Sequence, residues 1–464
     1  MLLERREIHD LLTWAHSEGR KPLVIRGARQ VGKSTLVRRF AELAKLALVE
    51  LNFERNPELA QAFRTRDPIQ ILTVLRLLTE QEIHAGTTLL FLDEIQTAPA
   101  ALAALRYFYE EMPQLHVIAA GSLLEFTLAD AKFAMPVGRV EYMHLGPMHF
   151  EDFLQAMKQE AFASWLQQVS LQQLSQDLTV PAVHAKGLDW LRQYWVIGGM
   201  PEAVARFAAH GTFSEVAQIH QSIVATYRDD FGKYSHGTLK TRVQLVFDRL
   251  PAMVGRKFKY SQVSIEYRAS ELATALQQLC KARIAYQVQH TAANGVPLGA
   301  EASQRHFKIL AMDVGLMCHA LHLNLADLTT AHLTLINAGA VAEQFVGQHL
   351  LYSGAPYEAP ALHYWRREVK NAAAEVDYVL SQGQNIVPVE IKAGKAGTLK
   401  SLHYFLKEKQ RRFGLRLNAD VPSMLRGATV TVDKTPLRYD LLSLPLYLVG
   451  QTRRLLTEYF EPAG

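Results

Sequence analysis

Three groups of residues have the types and spacing to do chemistry on phosphates. The first is Gly27-Ala28-Arg29-Gln30-Val31-Gly32-Lys33-Ser34, followed by Thr35. Glycines at both ends let the chain curl so that successive backbone N–H groups face one point. A helix starting there adds its positive end to the same field. The pattern is G-x-x-x-x-G-K-[ST], in which Lys33 can reach the β- and γ-phosphates of a nucleotide and the Ser34 hydroxyl can bind Mg²⁺. The second group, Asp93-Glu94, closes the apolar run Thr87–Leu92. There Asp93 would hold Mg²⁺ through water, and Glu94 would orient and polarise an attacking water. The third is Asp377 with Glu390-Ile391-Lys392, and Glu343 upstream. Two or three carboxylates can hold Mg²⁺ by a scissile phosphate while a lysine polarises water.

Each group needs an element to aim it. Leu23-Val24-Ile25 reads as a buried strand running into the glycine loop, and Thr35 to Ala41 as the helix leaving it. An amphipathic helix over Leu2 to Ala15, with Leu3, Ile8, Leu11 and Leu12 on its apolar side, precedes that strand. Leu48 to Phe53 reads as a second strand and Pro68 to His84 as a helix with proline at its start. The run into Asp93-Glu94 fits a parallel strand buried on both faces, delivering its last side chains to the phosphates. A helix from Ala100 to Met112 and a strand from Leu115 to Ala120 then lead to Gly121-Ser122. Ser122 suits contact with the γ-phosphate or the lytic water, and equally the N-cap of a helix from Leu123. Arg139 could stabilise charge on a transferred phosphoryl group, within one subunit or across a boundary in a homo-oligomer. It suits a structural ion pair equally well.

Composition bounds the rest. At 464 residues the chain should form about three domains, and 49% hydrophobic against 20% charged residues describes a globular protein. A net charge of +5 permits a nucleic-acid partner without requiring one. Cys280 and Cys318 are too few for a disulfide framework or a cysteine-based zinc site. With no signal-peptide pattern and no apolar run able to span a bilayer, a cytoplasmic protein is expected.

With Gly27–Ser34, Asp93-Glu94-Ile95-Gln96, Gly121-Ser122, Gly138-Arg139, Leu145 to Glu151 and Trp195 to Glu202 in place, the chain resembles one family nearly throughout. It is similar to the prokaryotic AAA-type ATPases of the MNS clade of STAND ATPases. These carry an uncharacterised C-terminal domain related to restriction-endonuclease folds. The resemblance implies an α/β fold with an ASCE-type P-loop core over residues 1–160 and a helical lid over 161–235. A winged helix-turn-helix over 236–325 and a nuclease-like domain over 326–464 would follow.

Residues 161–235 are helical in pattern, broken most sharply at Gly198-Gly199-Met200-Pro201. In the third segment Ser261 and Ser270 suit helix N-caps, and Arg283 to Val288 reads as a wing strand. Between Lys240 and His290 nine Lys/Arg stand against three Asp/Glu, a balance of +6. Arg256-Lys257-Phe258-Lys259-Tyr260 interleaves cations with aromatics, as DNA contact would use. Packing against a protein partner is the competing use of such a module.

Before the last segment, a strand is expected at Phe307–Asp313, with a helical region following to about Leu323. A helix then runs from Ala338 to Tyr352, and strands from Ala361 to Val369, Glu375 to Leu380 and Ile386 to Lys392. A helix over Thr398–Lys409 and late strands at Leu415 and Leu446 complete an α-β-β-β-α-β order. Glu390 and Lys392 alternate on one strand face, where Asp377 of the neighbouring strand can meet them. That is the D…E-x-K arrangement of the PD-(D/E)XK nucleases, with Glu343 as auxiliary carboxylate. Lys392, Lys395, Lys400, Lys407, Lys409, Arg411, Arg412 and Arg416 make a basic flank suited to phosphates. The module would either cut DNA or persist as a binding domain.

Overall fold

The computed structural model describes residues 3–128, 138–175, 180–324, 335–367, 374–394 and 398–461. The chain divides into two compact units. The first comprises Met1–Met148 with Lys281–Ile284 and Ala355–Ala359. The second comprises His149–Cys280, Ala285–Gly354 and Pro360–Gly464.

The first unit is built on a parallel sheet of β1 (Leu23–Arg26), β2 (Ala47–Asn52), β3 (Thr88–Asp93), β4 (His116–Gly121) and β5 (Glu141–His144). Its order is β2-β3-β4-β1-β5. One strand, β4, therefore separates the strand entering the glycine loop from the strand ending in Asp93, as the ASCE order requires. β3 and β4 are buried at every residue, which explains their unbroken apolar runs: central parallel strands are covered on both faces. Register sets the site. Arg26 pairs with Gly121 and Asp93 with Ala120, so the chain leaves β1, β4 and β3 at one sheet edge within a residue of each other. Ligands of open α/β sheets bind at that carboxyl edge.

Local boundaries differ from the sequence pattern where single residues decide them. The first helix spans Glu7–His16 and buries Ile8, Leu11, Trp14 and Ala15. The segment before it is held instead by the buried Arg5. The helix expected to reach His84 is Pro68–Thr79, started by the Asp67 carboxylate accepting from Ile69 N and Gln70 N, and ended by left-handed Glu80. β5 has no strand signal in the sequence: it is short, polar at both ends and an edge strand.

The second unit contains the helices Phe150–Ala156, Glu160–Gln168, Pro181–Ile197, Pro201–His210 and Phe213–Tyr234. The Gly198-Gly199 break is fixed by Asp313, whose carboxylate accepts from Gly199 N at 2.7 Å. Asp313 does not extend a strand, as expected, but caps the helix Val314–Ala320.

The unit's sheet joins β6 (Ala285–Thr291), β7 (Ala302–Ala311), β8 (His363–Arg366), β9 (Glu375–Gln382), β10 (Asn385–Ile391), β11 (Phe413–Asn418), β12 (Ser423–Val432) and β13 (Thr435–Pro445). The order is β12-β13-β11-β10-β9-β8-β6-β7. The hairpin β6–β7 is thus continuous with the C-terminal strands through the parallel pair β6–β8, and the expected boundary at 325/326 does not separate two sheets. The late strand expected at Leu446 is the 3-10 helix Leu446–Gln451; β13 ends just before it. The expected extension of β8 to Val369 runs into 368–373, outside the described residues.

Candidate functional site

The glycine loop is shaped for close approach. A Cβ on Gly27 would lie 2.4 Å from the Leu145 carbonyl oxygen, so no larger residue fits without moving backbone. Gly32, at φ +90°, is the left-handed turn from which the helix Lys33–Leu43 starts. Arg29 pairs with Glu54 at 3.5 Å. The buried Gln30 Oε1 has no hydrogen-bond partner. Lys33 is buried, and its ammonium donates to Gly27 O at 3.1 Å and Ala28 O at 2.7 Å. Burial drives its pKa down to about 8, more strongly than the charges of Glu94 and Asp93 hold it up. Lys33 is an ammonium resting on neutral carbonyls and short of an anion.

The carboxylates meet this loop. Ser34 Oγ donates to Asp93 Oδ2 at 3.0 Å and Asn52 Nδ2 donates to the same oxygen at 3.3 Å. Burial raises the pKa of Asp93, with the Ser34 hydrogen bond opposing. Glu94 sits at φ +52°, a left-handed conformation that costs a non-glycine residue on the order of 1 kcal/mol. It points into a small network: Gln96 Nε2 donates to Glu94 Oε2 at 2.6 Å, and Ser122 Oγ to the same oxygen at 3.3 Å. Ser122 therefore contacts Glu94, while the following helix is Leu124–Leu128. Gly121 makes room for Gln96, whose Oε1 would lie 2.2 Å from a Cβ there.

These residues fit a Mg²⁺-nucleotide. The loop has the backbone room, Lys33 lacks an anionic hydrogen-bond partner, and Ser34 and Asp93 bring two hard oxygen ligands together. Arg139 is placed elsewhere: its Nε donates to Glu110 at 2.8 Å on the helix Pro99–Glu111, the ion-pair alternative. Sequence reasoning assigned no role to Asn52 or Arg5, and none to Gln96 beyond its place in the run Asp93-Glu94-Ile95-Gln96. The buried Arg5 donates from Nη1 to Val31 O at 2.7 Å, from Nη2 to Gly146 O at 2.9 Å and from Nε to Glu7 at 3.1 Å. Burial pushes the Glu7 carboxyl up, but Arg5 and Arg6 outweigh it and hold the pKa low. Arg5 thus clamps the glycine loop from below; nothing in its sequence neighbourhood signals this.

In the second unit the antiparallel pairing of β9 and β10 stops at Tyr378–Val389. Beyond that point the Asp377 carboxylate takes over, accepting from Ile391 N at 2.7 Å. Lys392 Nζ lies 2.6 Å from Glu390 Oε1; the other oxygen of this buried carboxylate, Oε2, has no hydrogen-bond partner. So the sequence-predicted Asp377, Glu390 and Lys392 do gather at adjacent strand ends.

Glu343 meets a cation before it meets the other candidates. Its Oε1 lies 2.8 Å from Nζ of Lys308, a β7 residue that sequence reasoning did not select. The same ammonium lies 2.8 Å from Glu375 and 3.8 Å from Asp377, with its side chain 2% exposed. Burial works against the charge of Lys308, but the three carboxylates outweigh it and raise its pKa. One cation cannot neutralise all of them. Burial lifts Glu343 to about 7 against the pull of Lys308, and burial with the Asp377 charge lifts Glu390 to about 7. Among the described residues no group of three or more His, Cys, Asp and Glu side chains is arranged to hold a metal. The expected sharing of Mg²⁺ by Asp377 and Glu390, with Glu343 in support, does not fit this centre.

The basic flank is also less free than its sequence suggests. Lys407 donates to Val432 O, Lys409 to Asn294 Oδ1 and Arg416 to Ser443 Oγ; Lys395 lies outside the described residues.

Where a helix-turn-helix was expected, the structure has the helices Tyr260–Val263 and Ala269–Lys281, followed by the β6–β7 hairpin. Neither Ser261 nor Ser270 is a cap. Both lie inside their helices, and Glu271 takes the Arg268 N–H at 3.0 Å. Phe258 is buried, stacked on Phe307 with centroids 5.3 Å apart, so it is not available to stack on a base. Arg256 and Lys259 are exposed.

Comparison with known proteins agrees with the phosphate-loop fold. Residues 19–154 match the family model of an AAA domain. Residues 188–327 and 338–427 match two domains of unknown function, DUF8612 and DUF4143. No curated protein matches the chain. Solved structures similar to it include the Walker-type ATPase PABY2304 of Pyrococcus abyssi, at 14% identity and TM-score 0.42, covering 69% of this chain and 96% of that one. The ORC1 protein of Aeropyrum pernix in complex with DNA is 13% identical, with TM-score 0.28 and coverage of 69% and 94%. A Signal Transduction ATPase with Numerous Domains (STAND) protein with a tetratricopeptide repeat sensor, PH0952 of Pyrococcus horikoshii, is 12% identical. Its TM-score is 0.26, with coverage of 76% and 47%. No helix among the described residues is long and apolar enough to cross a membrane.

Proposed function

We propose that the chain binds and hydrolyses ATP at the loop Gly27–Thr35, and that turnover controls a second unit that works with DNA. The observation carrying the first half is the Ser34–Asp93 hydrogen bond of 3.0 Å beside a Lys33 held only by carbonyls. Ser34 and Asp93 would hold Mg²⁺, which supplies charge neutralisation at the phosphates. Lys33 exchanges Gly27 O and Ala28 O for phosphate oxygens. Glu94, held in a left-handed turn by Gln96 and Ser122, orients the attacking water and accepts its proton. Asn52 shares Asp93 and keeps that carboxylate aimed at Ser34.

The DNA half is supported by the exposed Arg256 and Lys259 beside a helix pair followed by a β hairpin. The C-terminal strands are read as a nuclease-like module. A second reading, a nucleotide-controlled scaffold whose nuclease-like module is inactive and binds a protein partner, is favoured by Lys308 lying among the carboxylates. Titration of the full chain with a fluorescent ATP analogue, then a phosphate-release assay with Mg²⁺, tests the ATPase reading. Absence of both binding and release would sink it. Mobility shifts with a DNA duplex decide between the two uses of the second unit.

A further inference from the structure

The C-terminal carboxylates are not grouped around an empty point. Glu343 comes from the helix Leu335–Leu351, and Glu375 and Asp377 from β9. All three turn toward one buried ammonium, that of Lys308, at 2.8, 2.8 and 3.8 Å. Lys308 is firmly placed. Its backbone pairs with Val288 of β6 and bridges Lys257 on its other side. Its ammonium also lies 5.4 Å from the Tyr364 ring centroid, a further favourable contact for a desolvated cation. Lys308 falls in the 188–327 match, whereas Glu343, Glu375 and Asp377 fall in the 338–427 match. The centre is therefore completed by the segment that precedes the C-terminal module.

We propose that Lys308 is the resident cation of this centre, replacing the divalent ion that its carboxylates would otherwise gather, so that the module holds its fold without metal and does not cut phosphodiesters. The comparison with a metal-dependent centre rests on the nuclease-like reading of the sheet. The assignment of Lys308 rests on distances alone. A divalent ion at this point would need carboxylate oxygens at about 2.0–2.6 Å. It would also have to displace a buried ammonium that has no solvent to move into. Carboxylates left without their cation, the buried Glu343 above all, must be protonated or find another. With the ammonium gone, Glu343, Glu375 and Asp377 would have to close on the vacated position, and would then make a hard-oxygen site of the kind that binds Mn²⁺ or Mg²⁺.

The test uses the full chain without nucleotide, so that no polyphosphate recruits metal to the glycine loop. Thermal unfolding is followed in EDTA and in excess Mn²⁺, and Mn²⁺ binding is measured by titration calorimetry. In the wild type the unfolding midpoint should be the same in both solutions. Lys308→Met should make the fold Mn²⁺-dependent: a midpoint raised by several degrees in Mn²⁺, or folding only when Mn²⁺ is present. Its Mn²⁺ affinity should exceed wild type by at least about tenfold, since three uncompensated carboxylates then share the ion. Adding Glu375→Gln to Lys308→Met should remove most of that gain.

A Lys308→Met protein that is equally stable with and without Mn²⁺, or that fails to fold in both, overturns the proposal. So does a wild type whose midpoint already follows Mn²⁺. DNA binding is read in a separate assay: wild type that binds no duplex, together with a Mn²⁺-dependent Lys308→Met variant, would remove the DNA reading and leave this one standing.

Discussion

Among the described residues each unit buries one lysine beside carboxylates, and the two lysines are held in opposite ways. Lys33 donates to two neutral carbonyl oxygens, and burial drives its pKa down to about 8. Lys308 donates to carboxylates, and its pKa is raised. Desolvation is the largest influence on both; the partners decide the sign of the shift. A buried ammonium on carbonyls is under-compensated and gains by meeting an anion. One among three carboxylates is already paired and gains nothing from a phosphate. Two buried lysines, each with acids nearby, thus have different prospects: the first is open to a ligand, the second is closed by its own side chain.

The strongest way to break this comparison is to remove the first lysine. Lys33→Ala should abolish tight ATP binding, with a loss of at least about 100-fold, because the phosphates lose a buried charge-assisted partner. Fluorescent-analogue titration reads this directly. Unchanged affinity would mean that Lys33 is merely a loop brace. Next in size is Glu94→Gln, which should leave ATP bound and slow phosphate release by about 100-fold. The amide keeps the reach to Gln96 and Ser122 but cannot take the proton. Release at the wild-type rate would place the base elsewhere.

How much of this could be read from the sequence follows from how local each signal is. The glycine loop, β3 and β4 were legible because a phosphate loop needs glycine at fixed places and central parallel strands need unbroken apolar runs. Asp377, Glu390 and Lys392 were legible because strand alternation places them together. What was not legible is contact between distant segments. Lys308 was read as part of a strand only. Its meaning depends on the β6–β8 pairing that carries β7 into the sheet of β9, and no local pattern announces a pairing across that separation. Arg5 and Asn52 were missed for the same reason, since each acts on a loop far along the chain. Phe258 was misread because alternation with cations looks the same whether the ring faces a nucleotide or Phe307.

A pH series sharpens the contrast between the lysines. In the nucleotide-free protein Lys33 loses its proton as pH rises through about 8, whereas an unfolded chain would keep it until about 10.5. Between those values the unfolded state binds more protons, so the stability of the free protein should rise with pH over that window from this group. Phosphates favour the charged form, so binding must then take up a proton, and ATP affinity should fall above pH 8 by up to about tenfold per unit. The fall should be absent in Lys33→Ala at whatever residual affinity remains. A wild-type affinity that is flat from pH 7 to 9.5 would show that Lys33 is not desolvated as the structure has it. Lys308, kept charged by its carboxylates, should contribute no change in that range.

The smallest effect concerns whether charges outside both buried centres meet DNA. Arg256 and Lys259 are exposed, whereas Lys257 is half-buried and its backbone bridges Lys308. Only the first two are therefore free to be altered without disturbing the carboxylate centre. Arg256→Glu with Lys259→Glu should weaken duplex binding uniformly across sequences, because contacts to phosphate fix position without reading bases. Each lost phosphate contact should reduce the slope of log affinity against log salt by about 0.9, so the pair should reduce it by about 2. Mobility shifts at several salt concentrations measure that slope. Phosphate release from ATP should be unchanged, since neither residue belongs to the glycine-loop site. An unaltered slope would exclude this patch from the DNA contact and move the second unit toward the protein-partner reading. A reduced slope with intact turnover would place the phosphate-binding charge of that unit on the exposed residues just before the helix Tyr260–Val263, with Lys308 reserved for the fold.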